Sequence, residues 1–214
     1  VDTVKPAVSI DGTSGGKLTN YWNNSNVIIT ARGTDNYFVE KFVVTGTRDG
    51  RSISRYELDA DYTANATKSP TFKEPGLYNI TIVAVDEVGN ESGKATTSFV
   101  IDKKSPEISV VSGGSNRFLN RRRTITFGIE DDYGMDAQNA TLKVHYKTYS
   151  DSNWSETTVP FQTADGKTTA VYKMTAKGGK ATVYYFTVEG ADNSGNALKP
   201  AADEAFSVQE DTSA

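Results

Sequence analysis

Cysteine is absent from the 214 residues, and histidine occurs once. Without cysteine there is no disulfide framework, no thiol nucleophile, no thiolate zinc site and no iron–sulfur ligation. With His145 as the one imidazole, a multi-histidine metal site cannot be built, and a Ser/His/Asp triad would rest wholly on that residue. Long apolar runs are missing too, since no stretch approaches the roughly 18 residues a membrane-spanning helix needs. The first residues, Val1 to Pro6, lack the charged and apolar regions of a secretory leader, so the chain reads as a piece of a longer one. A basic surplus is also absent. The net charge of -4 argues against nucleic acid and against an anionic membrane surface as partners.

What is present is an ordinary globular composition with an internal repeat. Val1-Asp2-Thr3-Val4-Lys5-Pro6-Ala7-Val8-Ser9-Ile10 is echoed by Ile101-Asp102-Lys103-Lys104-Ser105-Pro106-Glu107-Ile108-Ser109-Val110. Ala84-Val85-Asp86-Glu87-Val88-Gly89-Asn90 is echoed by Gly190-Ala191-Asp192-Asn193-Ser194-Gly195-Asn196. Between these, Val27 to Ala31 with Thr34-Asp35-Asn36 corresponds to Arg123 to Phe127 with Glu130-Asp131-Asp132. Three landmarks in the same order mean two copies of one module of about 100 residues, expected at 1–103 and 104–214. Each half carries a surplus of two acids, so neither is a specialised charged domain.

Within each half the apolar period is two. Val27, Ile29 and Ala31 alternate with Ile28, Thr30 and Arg32, and Tyr78, Ile80, Ile82 and Ala84 alternate with Asn79, Thr81, Val83 and Val85. In the second half the inward sets are Ile125, Phe127 and Ile129, then Leu142, Val144 and Tyr146, then Tyr184, Phe186 and Val188. Alternation of this kind gives strands with one face in a core and one wetter face. Turn signals such as Arg48-Asp49-Gly50, Glu74-Pro75-Gly76, Ala164-Asp165-Gly166 and Lys177-Gly178-Gly179 separate them. No segment carries a helical stripe. The expected fold is all-β, with two tandem antiparallel sandwiches arranged end to end.

Each half resembles the immunoglobulin-like modules, including fibronectin-like ones, found in tandem in bacterial cell-surface and secreted proteins. The resemblance rests on the Asp-x-x-x-Pro openings (Asp2 to Pro6, Asp102 to Pro106), the Thr34-Asp35-Asn36 loop, and the closing Asp-x-x-Gly-Asn hairpins. Leu142 to Lys147, Trp154, Val159-Pro160 and Val183 to Phe186 add to it in the second half. The cysteine pair of antibody domains is absent, although Tyr78 and Tyr184 match the tyrosine-corner pattern. The resemblance implies a fold, an extracellular setting at the cell surface or as a secreted chain, and no enzyme motif.

Few residues stand out as chemistry. His145, flanked by Lys143 and Lys147 on the outward face of its strand, is expected to be a solvated surface histidine. Tyr21 and Trp22, followed by two asparagines, could stack a sugar ring or pack on their own sandwich edge. Trp154 is expected to pack at a core or strand edge, and Arg121-Arg122-Arg123 to guard a sheet edge, with nucleic acid or an acidic polysaccharide as the alternative partner. Asp86 and Asp192 open tight hairpins, where a carboxylate can accept turn N–H bonds. In an Ig-like topology Asp102, Asp131 and Asp192 would also converge at the junction of the modules, where hard oxygen ligands could take Ca2+. The first module has the same set in Asp2, Asp35, Asn36 and Asp86.

The expected role is a non-catalytic stalk or spacer that presents a neighbouring domain of the same longer chain. It requires no cofactor, apart from the calcium ion that the junction would hold. An adhesin-type module binding glycan or a host protein through Tyr21 and Trp22, and an accessory module of an extracellular hydrolase, are the alternatives.

Overall fold

The computed structural model describes residues 2–11, 13–14, 17–113, 123–175, 177–180, 182–198 and 208–210. Arg121 and Arg122 lie outside the described residues. The chain divides into two compact units, Val1–Lys103 and Lys104–Ala214.

The first unit contains β1 (Ala7–Asp11), β2 (Thr13–Ser14), β3 (Lys17–Asn23), β4 (Val27–Ile28), β5 (Thr30–Arg48), β6 (Arg51–Ser52), β7 (Tyr56–Lys68), β8 (Thr71–Phe72), β9 (Gly76–Asp86) and β10 (Ala95–Ile101). Two of these strands serve both layers. The start of β5 (Thr30 to Thr34) pairs with β1 and with the end of β7 (Asn65 to Lys68). The rest of β5, from Val39 onward, pairs with β9 and with the start of β7. Both strands therefore change sheet part-way, at residues 35–38 in β5 and near Asp61-Tyr62 in β7, where the register shifts. Corners of this kind are how sandwiches pass a strand between layers. The second layer continues from β9 to β10 and then to β3, which runs parallel to β10.

The alternating residues of both layers meet in one core that includes Ile29, Phe42, Ile80, Ile82, Phe99 and Ile101. Within it Tyr78 stacks on Phe99 at 5.0 Å, and Phe72 meets both edge-on at 5.3 Å. Burying each such side chain stabilises by about 1.5–3 kcal/mol, which explains why the alternation rather than local propensity decides the register.

The second unit contains β11 (Glu107–Ser112), β12 (Arg123–Glu130), a 3-10 turn (Ala137–Asn139), β13 (Ala140–Thr148), β14 (Ser155–Pro160), β15 (Gln162–Ala164), β16 (Lys167–Met174), β17 (Thr182–Gly190) and β18 (Val208–Glu210). They form two four-stranded sheets in the orders β11-β12-β16-β15 and β14-β13-β17-β18. Ile125, Phe127, Leu142, Val144, Met174 and Tyr184 fill the space between them. The Asp49-Gly50 and Asp165-Gly166 turns both have two successive positive φ values, as a two-residue hairpin with right-handed strand twist requires.

Each unit is thus an immunoglobulin-like β-sandwich, antiparallel apart from the β3–β10 pair of the first, and both have the tyrosine corner. Tyr78 donates its hydroxyl to the Glu74 carbonyl at 2.9 Å, and Tyr184 donates to the Thr175 carbonyl. The hydroxyl satisfies a carbonyl at the turn into the strand, so a phenol can be buried there without an unpaired polar atom.

Candidate functional site

The polar chemistry of each unit collects at its closing hairpin. Asp86 ends β9 and is buried, yet its carboxylate accepts bonds from the Val88 N–H (3.0 Å), the Asn90 N–H (2.7 Å) and the Asn90 side-chain amide (2.7 Å). Burial pushes the Asp86 carboxyl up, but the bonds from Asn90, Val88 and Gly89 outweigh it and hold the group below the usual carboxylate range. Gly89, at φ 91°, completes a turn that a residue with a Cβ would enter with strain. Asn90 Nδ2 also reaches the carbonyls of Asp2 and Val4 at 3.3 Å, tying the first segment of the unit to its last hairpin.

The second unit repeats this arrangement. Asp192 is buried and accepts from the Ser194 N–H (2.8 Å), the Asn196 N–H (2.8 Å) and the Asn196 amide (2.7 Å). The turn-capping role expected of both aspartates is therefore present in full.

A second role is available to the first hairpin. Asp2, Asp35 and Asp86 each offer a carboxylate oxygen within 4.8 Å of the others. Asp35 Oδ1 accepts from the Tyr37 N–H at 2.9 Å, whereas Asp35 Oδ2 is buried with no hydrogen-bond partner. Hard oxygens gathered from three segments suit Ca2+, but three carboxylates fall short of the six to eight oxygens that ion takes, so carbonyls or water would complete the shell.

Of the three residues expected to hold metal at the junction, Asp131 and Asp192 belong to the second unit. Asp131 Oδ1 accepts from the N–H groups of Tyr133 (3.1 Å) and Gly134 (2.8 Å). Burial raises the Asp131 carboxyl; those two bonds offset part of the rise, and the charges of Asp192 and Asp132 add to it. Asp102, in the first unit, is buried, and its N–H donates to the Asn23 carbonyl at 2.8 Å.

The remaining candidates are placed as follows. Tyr21 and Trp22 lie half-buried on β3, edge to face at 5.4 Å, with Trp22 in register with Val100 of β10. Trp154 stands just before β14 and is 41% exposed, with its ring against the edge of Tyr185 at 4.7 Å and under Lys147 Nζ at 4.9 Å. His145 corrects the expectation of a solvated side chain. Its side chain is 14% exposed, its ring lies flat on Tyr185 at 4.1 Å, Nε2 is 3.0 Å from Thr187 Oγ1, and Nδ1 is 3.4 Å from Glu156. The two flanking lysines are its neighbours in sequence, but the strands on either side supply its partners, and sequence spacing does not reveal those.

Two asparagines are structurally engaged as well. Asn23 donates to the Tyr21 and Val100 carbonyls, and Asn90 makes the hairpin bonds above. A groove of about 580 Å³ crosses the second unit's β11-β12-β16 face above Gly128, lined by Ser109, Val111, Lys167 and Thr169 among others. Among the described residues no helix is long and apolar enough to cross a membrane.

No protein-family model matches the chain, and no curated protein matches it. Solved structures do. The chicken CNTN1 FN1-FN3 domains are 17% identical at a TM-score of 0.42, covering 96% of this chain and 67% of that one. Clostridium thermocellum CbhA fibronectin(III)-like modules are 19% identical at a TM-score of 0.33, covering 95% and 93%. The fold assignment rests on the strand order and the tyrosine corners given above.

Proposed function

We propose that the chain is a non-catalytic spacer segment of a bacterial cell-surface or secreted protein, holding a neighbouring binding or catalytic domain of the same longer chain. The observation that carries this reading is the pairing of β3 with β10 in the first unit. These two strands lie near opposite ends of the unit's sequence, yet they are parallel neighbours. A pull applied through the two ends loads such a ladder in shear, so its hydrogen bonds must break together and not one at a time. Asn23 and Asp102 reinforce that ladder at its end through the Asn23 amide to the Val100 carbonyl (3.2 Å) and the Asp102 N–H to the Asn23 carbonyl (2.8 Å). Single-molecule pulling on the first unit through its ends should give a discrete high-force unfolding event; gradual low-force yielding would remove the argument. Assays on glycan, peptide and ester substrates should give no turnover, and activity abolished by one Asp or Glu substitution would overturn the reading.

Calcium belongs to the same proposal. Asp102, Asp131 and Asp192 hold the positions in the second copy of the repeat that Asp2, Asp35 and Asp86 hold in the first. The grouping of the first set and the buried, unpartnered Asp35 Oδ2 support Ca2+ at both. Titration calorimetry with CaCl2 and melting curves with and without chelator test it; no heat and superimposable curves would leave these aspartates as turn caps alone.

The adhesin alternative, with Tyr21 and Trp22 as a glycan or host-protein platform, is favoured by their partial exposure on β3. A tryptophan-fluorescence titration with soluble glycans would separate it from a spacer. The accessory-module alternative would be settled by a catalytic domain encoded beside this segment.

A further inference from the structure

Six asparagines open an Asn-x-Ser/Thr run, the acceptor pattern for N-linked sugar: Asn23, Asn65, Asn79, Asn90, Asn139 and Asn153. In a chain rich in Asn, Ser and Thr such runs arise by chance, so the fold decides which of them a transferase can use. An enzyme that glycosylates a folded chain has to lift a few residues of backbone into its own groove. The acceptor must therefore be exposed, with its backbone free of a sheet ladder.

Five of the six fail that requirement. Asn23 and Asn90 commit their side-chain amides inside the fold, Asn23 to the Tyr21 and Val100 carbonyls and Asn90 to Asp86 and the Asp2 carbonyl. Asn79 is paired on both sides, with Thr47 of β5 and Ser98 of β10, and its Oδ1 accepts from Ser98 Oγ at 2.8 Å. Asn65 is held in the ladder of β5 with β7, opposite Thr34. Asn139 ends the 3-10 turn with its N–H on the Asp136 carbonyl and its own carbonyl on the Ala191 N–H, and its hydroxyl residue, Thr141, is paired on both sides by β14 and β17.

Asn153 meets it. The loop between β13 and β14 is exposed at every residue from 149 to 154, with Tyr149 at 64% and Trp154 at 41%. The Asn153 side chain has no hydrogen-bond partner among the described residues. Ser155, which supplies the hydroxyl of the pattern, is the first residue of β14, an edge strand paired with β13 alone. Opening its one terminal pair, with Tyr146, releases the whole Asn153-Trp154-Ser155 run. Asn153 is also the one of the six with an acid two residues before it. That acid, Asp151, accepts from the Thr148 N–H at 2.9 Å and is exposed, so its charge is open to a cationic groove of a transferase.

We propose that Asn153 is an N-glycosylation acceptor that takes an oligosaccharide from a polyprenyl-pyrophosphate-linked donor. The amide nitrogen bonds to the anomeric carbon of the first sugar, the bond from that carbon to the pyrophosphate oxygen breaks, the amide loses one proton, and the lipid pyrophosphate departs. A sugar there stands at the head of the open edge of β14, where it hinders proteolysis of the loop and pairing of that edge with another chain.

The test incubates the purified, folded whole chain with a single-subunit bacterial oligosaccharyltransferase and its lipid-linked donor, beside a standard acceptor peptide that reports enzyme activity. Because the chain is purified, the outcome does not depend on where the protein resides or on its acting as a spacer. Intact mass should rise by one oligosaccharide, and electron-transfer fragmentation should place it on the tryptic peptide 148–167, which contains no other Asn-x-Ser/Thr run. Asn153→Gln and Ser155→Ala should abolish the addition, and Ser155→Thr should retain it. Asp151→Asn keeps an acceptor for the Thr148 N–H but deletes the charge, and should slow transfer about tenfold, as the loss of one charge-assisted hydrogen bond to the enzyme would. The proposal is overturned if the chain gains no sugar while the acceptor peptide does, if sugar persists in Asn153→Gln, if any of the other five asparagines is modified to the same extent, or if Ser155→Ala and Asp151→Asn react at the parent rate.

Discussion

Asp86 and Asp131 are carboxylates of the same repeat family with opposite responses to pH. The Asp86 group is held below its ordinary value, so it stabilises the fold above the unfolded carboxylate value of about 3.9 and loses that contribution as pH falls through its folded value. The Asp131 group is raised, so its ionisation at neutral pH works against folding, and the penalty disappears as pH falls through its folded value. Asp86→Ala leaves two backbone N–H groups and an asparagine amide without their acceptor, which should cost about 2–3 kcal/mol at pH 7 and weaken the acid-limb dependence of the first unit's unfolding curve. Asp131→Asn keeps an acceptor for Tyr133 and Gly134 while deleting the charge, so in metal-free buffer it should melt at or above the parent temperature at pH 7. Chemical denaturation from pH 3 to pH 8 measures both. Tyr78→Phe removes the bond to the Glu74 carbonyl inside an otherwise unchanged aromatic cluster and should cost about 1 kcal/mol by the same measurement.

At the scale of elements, the outer face of β13, β14 and β17 is a cross-strand ladder. His145 is in register with Glu156 on one side and Tyr185 on the other, and Trp154 closes the row. Such pairs add to sheet stability where strands meet. Tyr185→Ser removes the ring that both His145 and Trp154 contact, so it should destabilise the second unit by about 1–2 kcal/mol. A double-mutant cycle of His145→Ala with Tyr185→Ser should return a coupling of a few tenths to about 1 kcal/mol; zero coupling would mean that the stack is geometric coincidence.

For the whole molecule, the two cores share no residue: one is built from Ile10 to Ile101 and the other from Ile125 to Leu198. Each unit also satisfies its own closing hairpin with its own Asp–Asn pair. Fragments 1–103 and 104–214, expressed separately, should therefore each unfold in a single cooperative transition. A fragment lacking a cooperative melt would show that its core depends on the other half.

The amino-acid sequence alone determined the repeat, the period of two, the turns and the buried set, because alternation and punctuation are local properties that one chain displays in order. Val27, Ile29, Ala31, Ile80, Ile82, Ile125 and Phe127 are buried as the alternation requires. The aspartates that cap hairpins were legible for the same reason, since an Asp-x-x-Gly-Asn run contains both the acceptor and its donors. Tertiary structure decided what depends on strands far apart in sequence. It gave His145 its neighbours from β14 and β17, placed β3 parallel to β10, and left Asp35 Oδ2 buried without a partner. The residues on either side of a sheet pair carry no mark of each other in sequence, because the pairing is set by which faces the core requires and not by the distance along the chain.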